Sequence, residues 1–235
     1  MNRSVGLAVR TVALVALVVG LVVPVTGAAA QSIGINPINL GTASQLLVNP
    51  SFENNLTNYV TMPGEPWVRA GDMVITHMPN IYDPYGMPYC GSYALATGGN
   101  WGGGNAFAYQ QVTIPASAPQ PVLDLYLVVH SSLPAKWFFF GITDTVTILI
   151  SSGTPSGAPN TNFVKTVASY DTWNTQWNTW LHEGYYDMSA FRGQTIQVWL
   201  QSRIVTVPQQ TTNFAIDNVG LWTQPPNNVV TGIGC

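Results

Sequence analysis

After residue 45, apolar and polar positions alternate with a period of two along much of the chain. In Thr195–Arg203, Ile196, Val198 and Leu200 fall on one side, and Thr195, Gln197, Trp199, Gln201 and Arg203 on the other, as in a half-buried strand. Val122–His130 places Leu123, Leu125, Leu127 and Val129 on one face and Asp124, Tyr126 and His130 on the other, with Val122 and Val128. Asp144–Ser151 buries Val146, Ile148 and Ile150 and turns Thr145 and Thr147 outward. Six further runs, Asp72–His77, Ser92–Thr97, Ala106–Ile114, Phe163–Tyr170, Trp180–Met188 and Asn213–Trp222, are rich in β-branched and aromatic residues. Clusters of Gly, Pro, Ser and Asn, as at 98–104 and 152–157, separate them. No stretch holds an i, i+3, i+4 apolar period beyond the single turn that Met188–Arg192 allows. The pattern predicts an all-β fold, a two-sheet antiparallel β-sandwich or jelly roll of nine or ten strands. Each strand gives one apolar face to an inter-sheet core.

The first thirty residues read differently. Arg3 and Arg10 precede an uncharged, largely apolar run from Thr11 to Val23, then Pro24 and the small residues Ala28, Ala29 and Ala30. This is the layout of a secretory signal peptide over residues 1–30, with cleavage exposing Gln31. The run is short of the ~20 residues that span a bilayer as a helix. A polar, Pro-containing lead at 31–45 forms an N-terminal arm, 46–223 the β-sandwich domain and 224–235 a C-terminal tail. A domain of this size buries a core that needs few staples. The two cysteines, Cys90 and Cys235, permit one disulfide outside the cell, the other possibility being two free or intermolecular thiols.

Composition narrows the function classes. Only 7% of residues are charged, against about 25% in an average domain. The 18 Asn and 12 Gln outnumber all Lys, Arg, Asp and Glu together, so amides supply much of the polar surface, as suits a secreted or cell-surface protein. Dense charge of the kind that builds coiled coils, charged tails or nucleic-acid binders is missing. The formal net charge of −3 becomes more negative once Arg3 and Arg10 leave with the signal segment, so no phosphate backbone is an expected partner.

Four segments in order carry a family resemblance: Leu46-Leu47-Val48-Asn49-Pro50-Ser51-Phe52-Glu53, Gly91-Ser92-Tyr93-Ala94-Leu95, Tyr186 to Val198 with Asp187-Met188-Ser189-Ala190-Phe191-Arg192-Gly193-Gln194 inside it, and Phe214-Ala215-Ile216-Asp217-Asn218-Val219-Gly220-Leu221. Together, over roughly Leu46 to Trp222, they resemble the galactose-binding-like jelly rolls of secreted bacterial proteins, including carbohydrate-binding modules. The resemblance implies a structural calcium held by the acid after the Phe and the acid opening the final motif, here Glu53 and Asp217, with the Asn49 side chain or backbone carbonyls completing the oxygen set that calcium requires. Asn218 stands where a second Asp is common in the family. The alternative is that Glu53 and Asp217 cap turns and accept backbone N–H groups.

Catalysis is not expected. His77, His130 and His182 lie on three separate strand segments without metal-ligand spacing, and no glycine-elbow nucleophile occurs. Asp171 and Glu183 flank a tryptophan cluster, and a carboxylate pair can hydrolyse glycosides, but the modules resembled are non-catalytic. The better lead is aromatic. Residues 171–180 interleave Trp173, Trp177 and Trp180 with amides and hydroxyls, the 98–104 loop offers Trp101, and the row with Trp199 offers Gln197, Gln201 and Arg203. Sugars lay C–H faces on aromatic rings while a few polar groups take their hydroxyls, so these residues are candidate contacts for a polysaccharide or cell-surface glycan. The structural alternative is that such indoles stabilise a large sandwich, as expected for Trp180 at the start of a strand. The family topology implies that the Trp199 row and the Asp124, Tyr126 and His130 row lie on opposite sheets, so at most one lines a groove.

A second class of function is structural. The arm Ser32 to Leu40, low charge and a tail ending in Cys235 also describe a subunit of an extracellular filament or surface layer, in which the arm adds to a neighbour's sheet edge and the protein self-assembles. Asn55-Leu56-Thr57 matches an N-glycosylation sequon.

Overall fold

Alternation of this kind closes into two layers. The computed structural model describes residues 42–54, 65–77, 88–98, 104–131, 144–154, 156–171, 179–205 and 212–226. The chain divides into two compact units, Met1–Gln31 and Ser32–Cys235, and every described residue belongs to the second. Its strands are β1 (Val68–Ala70), β2 (Val74–His77), β3 (Tyr93–Gly98), β4 (Gly104–Thr113), β5 (Val122–Ser131), β6 (Thr145–Ser152), β7 (Phe163–Asp171), β8 (Leu181–Asp187), β9 (Thr195–Ile204) and β10 (Thr212–Trp222). A first sheet runs β1-β4-β9-β6-β7 and a second β2-β3-β10-β5-β8, with every pairing antiparallel. The only helical piece among the described residues is a 3-10 turn at Ser189–Phe191.

The nine predicted runs correspond to β2 through β10. The strand the pattern missed is β1, whose three residues are too few to show a period. Leu123, Leu125, Leu127 and Val129 of β5 meet Ile196, Val198 and Leu200 of β9 and Val146, Ile148 and Ile150 of β6 in one core. Truncating one such Leu costs about 2–5 kcal/mol. Polar seams close the layers. Thr97 and Ser202 share a buried hydroxyl bond of 2.7 Å between β3 and β9. At the opposite rim, the Tyr170 hydroxyl of β7 pairs with that of Tyr186 on β8 and donates to Glu183 (3.3 Å).

The end of the predicted arm is part of the sandwich. The Leu46 N–H donates to the Leu221 carbonyl (2.7 Å) and the Thr223 N–H to Ser44 (3.0 Å). Gln45 Oε1 accepts the N–H groups of Leu46, Leu47 and Leu221, and Gln110 clasps both the N–H and the carbonyl of Val48. Most of the arm, the sequon at Asn55 and Cys235 lie outside the described residues. Cys90 is buried and disulfide-bonded. No helix among the described residues is long and apolar enough to cross a membrane.

Candidate functional site

Three places carry chemistry: the outer face of each sheet, and a corner between the start of the domain and β10.

The first sheet's outer face corrects an expectation. The row anticipated as exposed is covered: Gln197 is fully buried and Trp199 is 2% exposed. The connection between β6 and β7 folds across it. Gln197 Nε2 donates to the Ala158 carbonyl (2.6 Å) while its Oε1 accepts the Asn160 N–H (2.9 Å) and the Ser151 hydroxyl (3.3 Å). The Tyr109 hydroxyl donates to the Gly157 carbonyl (3.1 Å), and Gln111 accepts the Thr154 N–H (3.1 Å). Beneath them the Trp199 indole stacks on Tyr109 at 4.4 Å and donates to Ser151 Oγ at 3.0 Å. The polar groups that sugar hydroxyls would use are taken by loop backbone. Gln201 is half-buried and Arg203 exposed at the margin of this row. Trp101, Trp173 and Trp177 lie outside the described residues.

At the corner, a half-buried Glu53 and a fully buried Asp217 come together. The turn reaching Glu53 uses positive φ at two non-glycine residues, Asn49 (52°) and Phe52 (62°). An aromatic in that region is strained, and Phe52 is held there by full burial against Trp67, 5.4 Å away. The turn brings the Glu53 carboxylate onto the N–H groups of Ser92 and Tyr93 (2.9–3.0 Å). Gly91, at φ 70°, makes room: a Cβ there would stand 2.6 Å from Glu53 Oε2 and closer still to its neighbours. Asp217, fully buried, accepts the Cys90 N–H (2.8 Å) and the Asn218 N–H (2.6 Å). Burial and the Glu53 charge outweigh those bonds and push its carboxyl up to about 8.

Two neighbouring carboxylates that meet no Lys or Arg among the described residues suit a hard cation by charge. Asn49, in the same turn, accepts the Asn54 N–H on its Oδ1 (3.1 Å) and the Trp67 indole N–H on its carbonyl (3.1 Å). No third acidic, His or Cys side chain completes a metal-binding group among the described residues, so calcium would draw its remaining oxygens from backbone or water.

The second sheet's outer face gathers what sequence reasoning left unassigned. Alternation sets Asp124 and Tyr126 outward on β5, with His182 of β8 opposite Tyr126 and Trp222 at the end of β10. Tyr126 stacks on Tyr89 (centroids 3.4 Å, 14°), Trp180 tilts toward Tyr89 (6.3 Å), and His182 lies 4.8 Å from the Tyr126 ring and edge-on to Tyr185 (5.3 Å). Trp180 leaves the core, where it was expected, and packs outside on Ala94, Val128 and Ala215. Burial, reinforced by Tyr89, raises the Tyr126 phenol, and burial with the Asp124 charge raises that of Tyr185. Both hydroxyls therefore stay protonated as donors. The Asp124 row was legible as a strand face; its partners, brought from residues 89, 180, 182, 185 and 222, were not.

No protein-family model matches the chain, and no curated protein matches its sequence. Among solved structures it is similar to a carbohydrate-binding module in complex with β-1,4-galactotriose (TM-score 0.47, 15% identity, 76% of this chain and 97% of that one). It is similar also to the K3 cleaved adhesin domain of Lys-gingipain from Porphyromonas gingivalis (0.47, 14%, 77% and 98%). A third similarity is to a cyclase from Fischerella sp. (0.47, 14%, 80% and 99%).

Proposed function

We propose that the protein is a secreted, non-catalytic module that binds a polysaccharide or cell-surface glycan on the outer face of its second sheet. The observation that carries this reading is the convergence there of Tyr89, Tyr126, Trp180 and Tyr185 with one buried carboxylate and one imidazole. Flat rings with a few fixed polar groups are what a pyranose needs. The competing face on the first sheet has its polar groups taken by its own loop. Trp173 and Trp177, shortly before Trp180, remain candidate contacts of the same kind. We propose also that Glu53 and Asp217 hold a structural calcium, which would neutralise their paired charge and brace the corner.

Purified full chain is to be titrated with a panel of soluble polysaccharides, wild type beside Trp180→Ala, Tyr185→Ala and Trp199→Ala. A ring that stacks on sugar should lose about 1–3 kcal/mol when removed, by analogy with stacking on bases, and the loss should fall on the Trp180 and Tyr185 variants. Release of reducing ends, or retained binding in both, would overturn the reading.

A further inference from the structure

Asp124 is placed with unusual care for an outward-facing residue. Its side chain is 9% exposed, and the register shifts on both sides of it. On β8 the pairing passes from Leu123↔Tyr186 to Asp124↔Gly184, leaving Tyr185 as the extra residue. On β10 it passes from Tyr126↔Asp217 to Asp124↔Gly220, again with one extra residue. Bulges re-aim side chains and gather at functional sites. Here two of them flank one carboxylate. Oδ1 accepts the indole N–H of Trp222 at 2.8 Å and Oδ2 meets His182 Nε2 at 3.0 Å. The residues opposite are both glycines. A Cβ on Gly184 would stand 2.5 Å from Asp124 Cβ, and one on Gly220 would stand 2.9 Å from Trp222 Cε2 and closer to Asp124 Oδ1.

Resting on the glycan-binding reading above, the geometry points to Asp124 as a positioning residue that fixes the Trp222 indole and the His182 imidazole as one preformed platform for an uncharged pyranose. The indole offers the stacking plane. The imidazole, bound through Nε2 to the carboxylate, leaves its other ring nitrogen for a sugar hydroxyl, and Tyr185 adds a phenol beside it. Holding both rings in place beforehand removes part of the ordering cost of binding. The uncharged class follows from where the cations are. Among the described residues Arg69 is on β1, Lys165 on β7, Arg192 in the turn after β8 and Arg203 on β9, so none stands on this face. A uronate or sulfate would meet Asp124 with no described Lys or Arg to offset it.

The test follows the indole N–H resonances of 15N-labelled full chain, with that of Trp222 assigned through Trp222→Phe. Probes are neutral galacto-, xylo-, gluco- and manno-oligosaccharides, with oligogalacturonate as the acidic counterpart. A neutral oligosaccharide should shift the Trp222 signal. Asp124→Asn should displace that signal in the free protein and weaken binding about tenfold or more. His182→Gln, at a more exposed position, should weaken binding with the fold intact, which keeps the test decisive if Asp124→Asn fails to fold. Binding with a stationary Trp222 signal, a folded Asp124→Asn of wild-type affinity, or preference for oligogalacturonate would overturn this inference while leaving glycan binding standing. Absence of binding to every probe would overturn both.

Discussion

Asp217 shows how one side chain reports on a whole corner. Its carboxyl is raised from 3.8 to about 8 by burial first, with the Glu53 charge adding to it. A group whose folded pKa lies above its unfolded value binds more protons in the folded state. Its contribution to stability is therefore complete below about pH 4 and is lost as the pH climbs through about 8, with a slope approaching about 1.4 kcal/mol per pH unit between the two. Calcium needs the ionised form, so it competes with the proton and gains most where the proton is weakest. In chelator, Tm should fall between pH 5 and pH 8 and Asp217→Asn should flatten the profile. With millimolar calcium the wild type should recover most of the loss at pH 8. Coincident wild-type curves with and without calcium at pH 8 would remove the metal from the corner. The two acids were legible as a pair through resemblance, but the bonds that Asn49 makes to Asn54 and Trp67 were not: they follow from left-handed turns that residue types alone do not announce.

At the level of elements, β9 divides what a period of two can say from what it cannot. Alternation named Ile196, Val198 and Leu200 as core, and they are. It named Gln197 and Trp199 as the opposite face, which they are, and their exposure was then inferred from facing away. Facing away from one core does not mean facing water: the covering groups, Gly157, Ala158 and Asn160, come from the β6–β7 connection about forty positions earlier. Coverage by a distant loop leaves no trace in local periodicity. The consequence is energetic. Trp199→Ala should destabilise the fold by about 3–5 kcal/mol, as for a buried large aromatic, without altering glycan affinity measured on the remaining folded protein. Gln197→Ala removes three hydrogen bonds, and the loss of a buried partner for Ser151 costs about 1–3 kcal/mol. Limited proteolysis should then cut the β6–β7 connection faster than in the wild type. Equal cutting rates would mean that the loop is held without Gln197, by the Tyr109, Gln111, Asn160 and Gly153 bonds.

Across the molecule, the Glu53–Asp217 corner and the outer face of the second sheet share one piece of backbone. The β10 bulge begins at Asp217, which receives the Cys90 N–H, and ends at Gly220, which lies against Asp124. Between them Asn218 sits at φ 48° and the Val219 N–H donates to the Pro50 carbonyl. Strand existence was legible because alternation is local. This bulge was not, because an extra residue changes register without changing composition, and Asn218 read only as a departure from a family motif. A cation that holds Asp217 and Glu53 would fix the start of the bulge, and with it the position of Gly220 and the space open to the Asp124 carboxylate. The two sites should then be coupled, and coupling between binding equilibria is reciprocal. Removing calcium should weaken binding of a neutral oligosaccharide severalfold, and saturating oligosaccharide should tighten calcium binding by the same factor, both measured by titration calorimetry at pH 7.5. Phe52 and Trp67 are buried beneath the turn that bears Glu53 and brace it by packing and by the Trp67 indole bond to the Asn49 carbonyl. If the two affinities prove independent, that packing and the Val219–Pro50 bond suffice to hold the bulge, and the metal acts on stability without reaching the glycan face.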